Sequence, residues 1–130
     1  MYSLFVSQEA SVKSHGLFVM EKSRFLEYTD DSIRVQLPSL SNEARESICS
    51  WPCILMEEGK GQEEARLVQV THIEVSGANL KVSISPLPKP LTFLNDDLWK
   101  MRDSLDIGDF EFSRNHWAIK ERDLPLCQYE

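Results

Sequence analysis

Between Phe110 and Leu124 the chain reads Phe-Glu-Phe-Ser-Arg-Asn-His-Trp-Ala-Ile-Lys-Glu-Arg-Asp-Leu, its densest concentration of residues able to do chemistry. Arg114, His116, Trp117 and Lys120 follow closely enough for a cation to stack on the indole while the other basic groups hold an anion or a partner's carboxylate. Such an aromatic and basic patch suits a protein partner or a second copy of the chain, because Trp and Arg concentrate at the centres of interfaces. Asn115 or Arg114 beside the tryptophan could then anchor a homodimer. The plainer alternative docks Trp117 and Ile119 on the core and pairs Arg114, Lys120 and Arg122 with surface carboxylates, each exposed pair contributing about 0–1 kcal/mol. A third reading makes His116 a general base or anion donor at a sheet-mouth cleft, oriented by Glu111 or Asp123. The binding reading is the principal expectation, with Arg114, His116, Trp117 and Lys120 as binding residues and no catalytic residue assigned.

The rest of the chain names no reaction. Cys49-Ser-Trp-Pro-Cys53 has one residue too many for a redox Cys-x-x-Cys pair and no second pair to complete a zinc site. Three cysteines, Cys49, Cys53 and Cys127, cannot all pair, and they read as free, buried thiols. A cysteine nucleophile would need a neighbouring His72 or His116 and a lowered pKa. His15, His72 and His116 share no spacing that would put two metal ligands on one element. Asp109, Glu111 and Lys120 only faintly match the acidic pair and lysine of metal-dependent nucleases, since that lysine is too distant. Gly59-Lys-Gly61 lacks the length and the hydroxyl residue of a phosphate loop. No cofactor and no metal are expected.

With 130 residues, 42% of them apolar and 27% charged, the chain has material for one core and a single domain spanning 1–130. A net charge of -7 repels phosphate backbones, so nucleic acid is disfavoured as a partner. Every apolar run is interrupted well before the roughly 20 residues of a membrane helix, so no membrane association is expected. Tyr2 to Val6 follows Met1 without a basic and then long apolar leader, which makes the cytoplasm the default location.

Several elements must position these side chains. Tyr2 to Val6 and Gly16 to Met20 read as short strands. Ile33, Val35 and Leu37 alternate with polar residues as a half-buried strand ended by Pro38. Ser41 caps a helix to about Ser50, with Glu43 and Glu46 near its start and Ala44, Ile48 and Trp51 on one face. Pro52 to Met56 reads as a buried strand leading into a polar loop, Glu57 to Glu64. Between Arg66 and Val75 the apolar phase changes, which predicts a bulge or sharp bend near Thr71 and His72. Ser76-Gly-Ala-Asn79 then makes a hairpin connection, beyond which Leu80, Val82 and Ile84 point inward.

Pro86, Pro88 and Pro90 are expected to stop the sheet. Asn95 is a candidate cap for a helix to Ser104 or Leu105 carrying Leu98, Met101 and Leu105 on one face, with Trp99 at its rim. Phe110 and Phe112, flanking an outward Glu111, read as the last strand before a polar tail. Strands with two isolated helices indicate an α+β fold. The phase change predicts a small, strongly bent antiparallel sheet or partly open barrel of SH3-like or OB-like curvature.

Glu111 with Arg114-x-His116-Trp117-Ala118-Ile119-Lys120-x-x-Asp123-Leu124, after Leu105-Asp-Ile107, resembles the end of an uncharacterised small bacterial domain found alone or fused to effector domains. Pro52 to Glu57, Arg66 to Val75 and Leu80 to Ile84 are similar to its central sheet, so the likeness runs from about Leu37 to Leu124. Asn115 and Glu121 depart from the Thr and Asp of that pattern. The resemblance implies a sensing, scaffolding or accessory role and brings no catalytic residue with it.

Overall fold

The structure, a computed structural model, describes residues 1–37 and 39–124. Its strands are β1 (Tyr2–Val6), β2 (Gly16–Glu21), β3 (Pro52–Met56), β4 (Glu64–Ser76), β5 (Asn79–Leu94) and β6 (His116–Lys120). The helices are α1 (Asp31–Arg34), α2 (Asn42–Ser50), α3 (Asn95–Lys100) and α4 (Arg102–Leu105), with 3-10 turns at Gln8–Ser11, Lys22–Arg24 and Asp109–Ser113. Strands and helices together make the expected α+β fold, with four helices where two were expected. No helix among the described residues is long and apolar enough to cross a membrane.

One sheet runs in the order β2-β5-β4-β3-β1-β6. Its pairs are antiparallel except β1 with β3, which run parallel, so the expectation of a wholly antiparallel sheet is corrected at that pair. The sheet is strongly rolled. Phe5 of β1 and Phe18 of β2 lie four strands apart, which in a flat sheet would separate them by roughly 19 Å. Their ring centroids are nevertheless 5.8 Å apart across the concave side. The roll is not closed, because no ladder joins β2 to β6 among the described residues.

Rolling places one core inside and a second outside. Phe5, Phe18, Ile48, Val70, Val82 and Trp117 belong to the inner cluster. Tyr2, Leu4, Ile54, Met56, Leu98, Leu105 and Phe112 belong to the outer one, under α3 and α4. β1, β3 and β6 are therefore covered on both faces and buried almost throughout, which is why none of them shows the alternation of a half-exposed strand; in β6 even the polar His116 and Lys120 are buried.

Of the bulge or sharp bend expected near Thr71 and His72, the structure shows the bulge. The β4–β5 register slips between Val70 and His72, and the buried positions shift from Val68 and Val70 to Ile73. Ser76 and Asn79 close the hairpin as a pair, with Gly77 at φ 61°, a left-handed conformation that glycine adopts without steric cost. The α2 cap is also as expected, since the Ser41 hydroxyl accepts from the Ala44 amide at 3.2 Å.

Elsewhere the reading needs correction. The strand expected over Ser32 to Leu37 is α1 and a turn: Ile33 and Leu37 are buried at helical spacing, whereas Val35 is 73% exposed. The prolines do not stop the sheet. Leu67 pairs with Leu91 and Val68 with Pro86, so β5 loops out over residues 87–90 and rejoins the ladder. The helix expected from Asn95 is broken at Met101, and Asn95 does not cap it. Its buried amide instead donates to the Glu57 and Gly59 carbonyls, while Asp97 accepts from the Leu94 amide. Phe110 to Phe112 forms a 3-10 turn, and the last strand is the segment read as tail. The strand end assigned to Pro38 and the thiol of Cys127 lie outside the described residues.

Candidate functional site

β6 sets its side chains alternately on the two faces of the sheet. Trp117 and Ile119 enter the inner core, while Ala118 packs in the outer one. His116 and Lys120 share the phase of Ala118 and meet Glu111, which the turn Asp109–Ser113 lowers onto the strand. Glu111 Oε1 lies 3.0 Å from His116 Nε2, and Oε2 lies 2.9 Å from the Lys120 ammonium. Oε2 also accepts from the Gly108 amide at 2.6 Å. His116 Nδ1 is 2.6 Å from the Arg114 carbonyl, and Lys120 donates to the Tyr28 carbonyl at 2.8 Å.

All three side chains are withdrawn from water, with exposures of 0% for His116, 2% for Glu111 and 3% for Lys120. Charged groups tolerate such burial only when paired and hydrogen-bonded, as these are. The arrangement leaves His116 without a free nitrogen to offer a substrate. What it does is tie the Asp109–Ser113 turn, the segment around Tyr28 and β6 into one unit. Tyr28 has φ 57° and Leu26 φ 70°, conformations costly for residues with a side chain, and Lys120 holds the first in place.

The four residues expected to form a binding patch thus separate. Trp117 is fully buried against Phe5 and Phe25, with centroids at 5.3 and 5.0 Å, and among the described residues no cation stacks on it. Arg114 alone is substantially exposed, at 43%, and grips Glu27 through two bonds of 3.0 and 2.8 Å. The Arg114 bond holds the Glu27 carboxyl below its usual value, against a smaller opposing effect of burial. Glu111, one of the two carboxylates considered as a partner of His116, does touch it. Asp123 is fully exposed.

The stacking expected at Trp117 occurs at Trp99, over whose ring Lys60 lies at 4.4 Å and Arg102 at 3.9 Å from the centroid. Arg102 is further held by Asp109 at 2.8 Å. Phe110, 78% exposed, follows Asp109. Cys49 and His72 line one shallow cleft of about 340 Å3 beside α2, but no hydrogen bond links them and burial raises the Cys49 pKa, the opposite of what an activated thiol needs. Burial pushes the Cys53 thiol up much further. No group of three or more His, Cys, Asp or Glu side chains among the described residues is placed to hold a metal ion.

The two edges of the sheet differ. The outer side of β6 is sealed by the chain itself: the Leu26 amide donates to the Trp117 carbonyl at 2.7 Å, and the Thr29 hydroxyl accepts from the Ile119 amide at 3.1 Å. Among the described residues, the outer side of β2 is met only by side chains. Glu9 accepts from the Val19 amide at 3.0 Å, Lys13 donates to the Leu17 carbonyl, and the two side chains pair with each other at 3.2 Å. Leu17 and Val19 are 49% and 47% exposed there. A cleft of about 370 Å3 runs along the edge, bounded by Ser7, Glu9, Val19, Glu21, Arg24 and Asn115. The sequence reading missed this edge, although the i, i+4 spacing of Glu9 and Lys13 could have drawn attention to it. Compared with known protein families, with curated proteins and with solved structures, the chain matches none of them.

Proposed function

We propose that this protein is a non-enzymatic binding module that takes an extended segment of a protein partner onto the open edge of β2. One observation carries the reading: among the described residues the outward backbone groups of β2 are met by the side chains of Glu9 and Lys13 alone, whereas β6 is met by the Leu26 backbone as well as by the Thr29 hydroxyl. An edge held only by side-chain caps can exchange them for another strand, whose main-chain hydrogen bonds provide affinity while alternate side chains provide selectivity. The adjoining cleft is walled by Ser7 to Glu9, which favours a single narrow segment over the flat edge of a second copy. The resemblance noted in the sequence, if it holds, would imply a sensing, scaffolding or accessory role, with which a binding module is compatible.

Selection from a library of displayed random peptides tests this. Binders should show alternating apolar residues and should lose affinity at least tenfold when methylated at backbone nitrogens facing β2. Val19→Pro removes an outward N–H that β5 does not use and should abolish binding without lowering the melting temperature substantially. Peptides that bind Val19→Pro as well as the parent protein would exclude strand addition at this edge. Self-association through β2, read by sedimentation, would replace the peptide partner with a second copy.

A further inference from the structure

A third concavity lies between α1, the turn Lys22–Arg24 and the hairpin end of β4. It measures about 740 Å3, within the range of roughly 300–1,000 Å3 usual for small-molecule sites. Phe25, Leu26, Leu40 and Val75 supply an apolar lining, and all four pack against the inner core. Val35 is 73% exposed at the lip, an apolar side chain with little protein around it.

Two cations converge on this lining, Lys22 and Arg34. Carboxylates outnumber Lys and Arg in the chain by 21 to 14, yet neither cation lies within ion-pair distance of a carboxylate among the described residues. Arg34 Nη1 donates to the Leu26 carbonyl at 3.1 Å, which fixes the guanidinium at the wall and leaves its other donors for a ligand. Asp31 is the one carboxylate in the lining, so the two cations outweigh it.

We propose that this pocket binds a small amphipathic carboxylate, its apolar body on Phe25, Leu40 and Val75 and its head group held by Arg34 and Lys22. A planar guanidinium matches a carboxylate with two parallel hydrogen bonds, and the ammonium adds an undirected charge. The site shares no lining residue with the cleft along the β2 edge, although the two flank opposite ends of the turn Lys22–Arg24.

2-Naphthoate and its neutral counterpart 2-naphthamide serve as probes, followed by nuclear magnetic resonance titration of the intact protein. 2-Naphthoate should bind at least tenfold more tightly than the amide and shift the resonances of Leu40 and Val75. Arg34→Ala and Lys22→Ala, both at exposed positions, should each weaken 2-naphthoate binding severalfold, and together they should bring the two probes to equal affinity. Val19→Pro should leave 2-naphthoate binding unchanged, which separates this result from that of the peptide experiment. Equal affinities in the parent protein, shifts confined to another face, or no shift at millimolar probe would each overturn the proposal. Should Arg34→Ala unfold, the charge reversal Lys22→Glu decides: unaltered 2-naphthoate affinity in that variant overturns it equally.

Discussion

With Lys120 replaced by Met, Glu111 would keep a carboxylate out of water with only the Gly108 amide and the His116 ring to meet it. Breaking a buried pair from one side costs on the order of 3–5 kcal/mol, so Lys120→Met should show a loss of that size in urea unfolding. The bond from Arg114 to Glu27 behaves differently because it is open to solvent. Its stabilisation comes from a carboxyl depressed in the folded state, so it is complete above the unfolded value near 4.5 and disappears as pH falls through the lower folded value. Arg114→Ala should therefore be less stable than the parent at neutral pH and equal to it in strong acid. Carboxyl resonances should show Glu27 moving up toward the ordinary range in that variant, with Arg24 at 3.8 Å still drawing it down. The clustering of Glu111, His116 and Lys120 was visible in sequence, but their burial was not. Reading Phe110-Glu-Phe112 as an extended segment turned Glu111 outward, whereas the Gly108-x-x-Glu111 turn directs it inward.

Elements whose local chemistry and tertiary environment agree were legible: the Ser41 cap, the hairpin at Gly77 and the slip near Thr71 each follow from residue type and spacing. Misreadings arose where one pattern satisfies two periods. Ile33, Val35 and Leu37 fit a strand by alternation, yet Ile33 and Leu37 are also four apart, and the turn of α1 buries those two while leaving Val35 in water. β6 was taken for a tail because its charged residues are satisfied internally, which no periodicity reports. The β2 edge offers an element-scale prediction. Removing its caps with Glu9→Ala and Lys13→Ala frees an amide and a carbonyl beside exposed Leu17 and Val19, and such edges invite pairing. The double variant should self-associate at concentrations where the parent stays monodisperse, as sedimentation would show, with its melting temperature little changed.

For the molecule as a whole, Trp117 is where the two ends of the rolled sheet come together, since it touches both Phe5 of β1 and Phe25, just beyond β2. Trp117→Ala should cost about 3–5 kcal/mol, in line with other large-to-small changes in packed cores. Urea unfolding should report that loss at an unchanged dependence on denaturant, as expected when stability falls and the surface exposed does not. The roll rests on β1, which pairs with β3 on one side and β6 on the other. Val6 thus waits for His116, and at roughly 5–20 residues per second a ribosome takes on the order of ten seconds to deliver it. Throughout that interval a five-residue greasy ribbon, Tyr2–Val6, has one flank without its neighbour, so the newborn chain is a natural client for whatever chaperones ride at the tunnel exit.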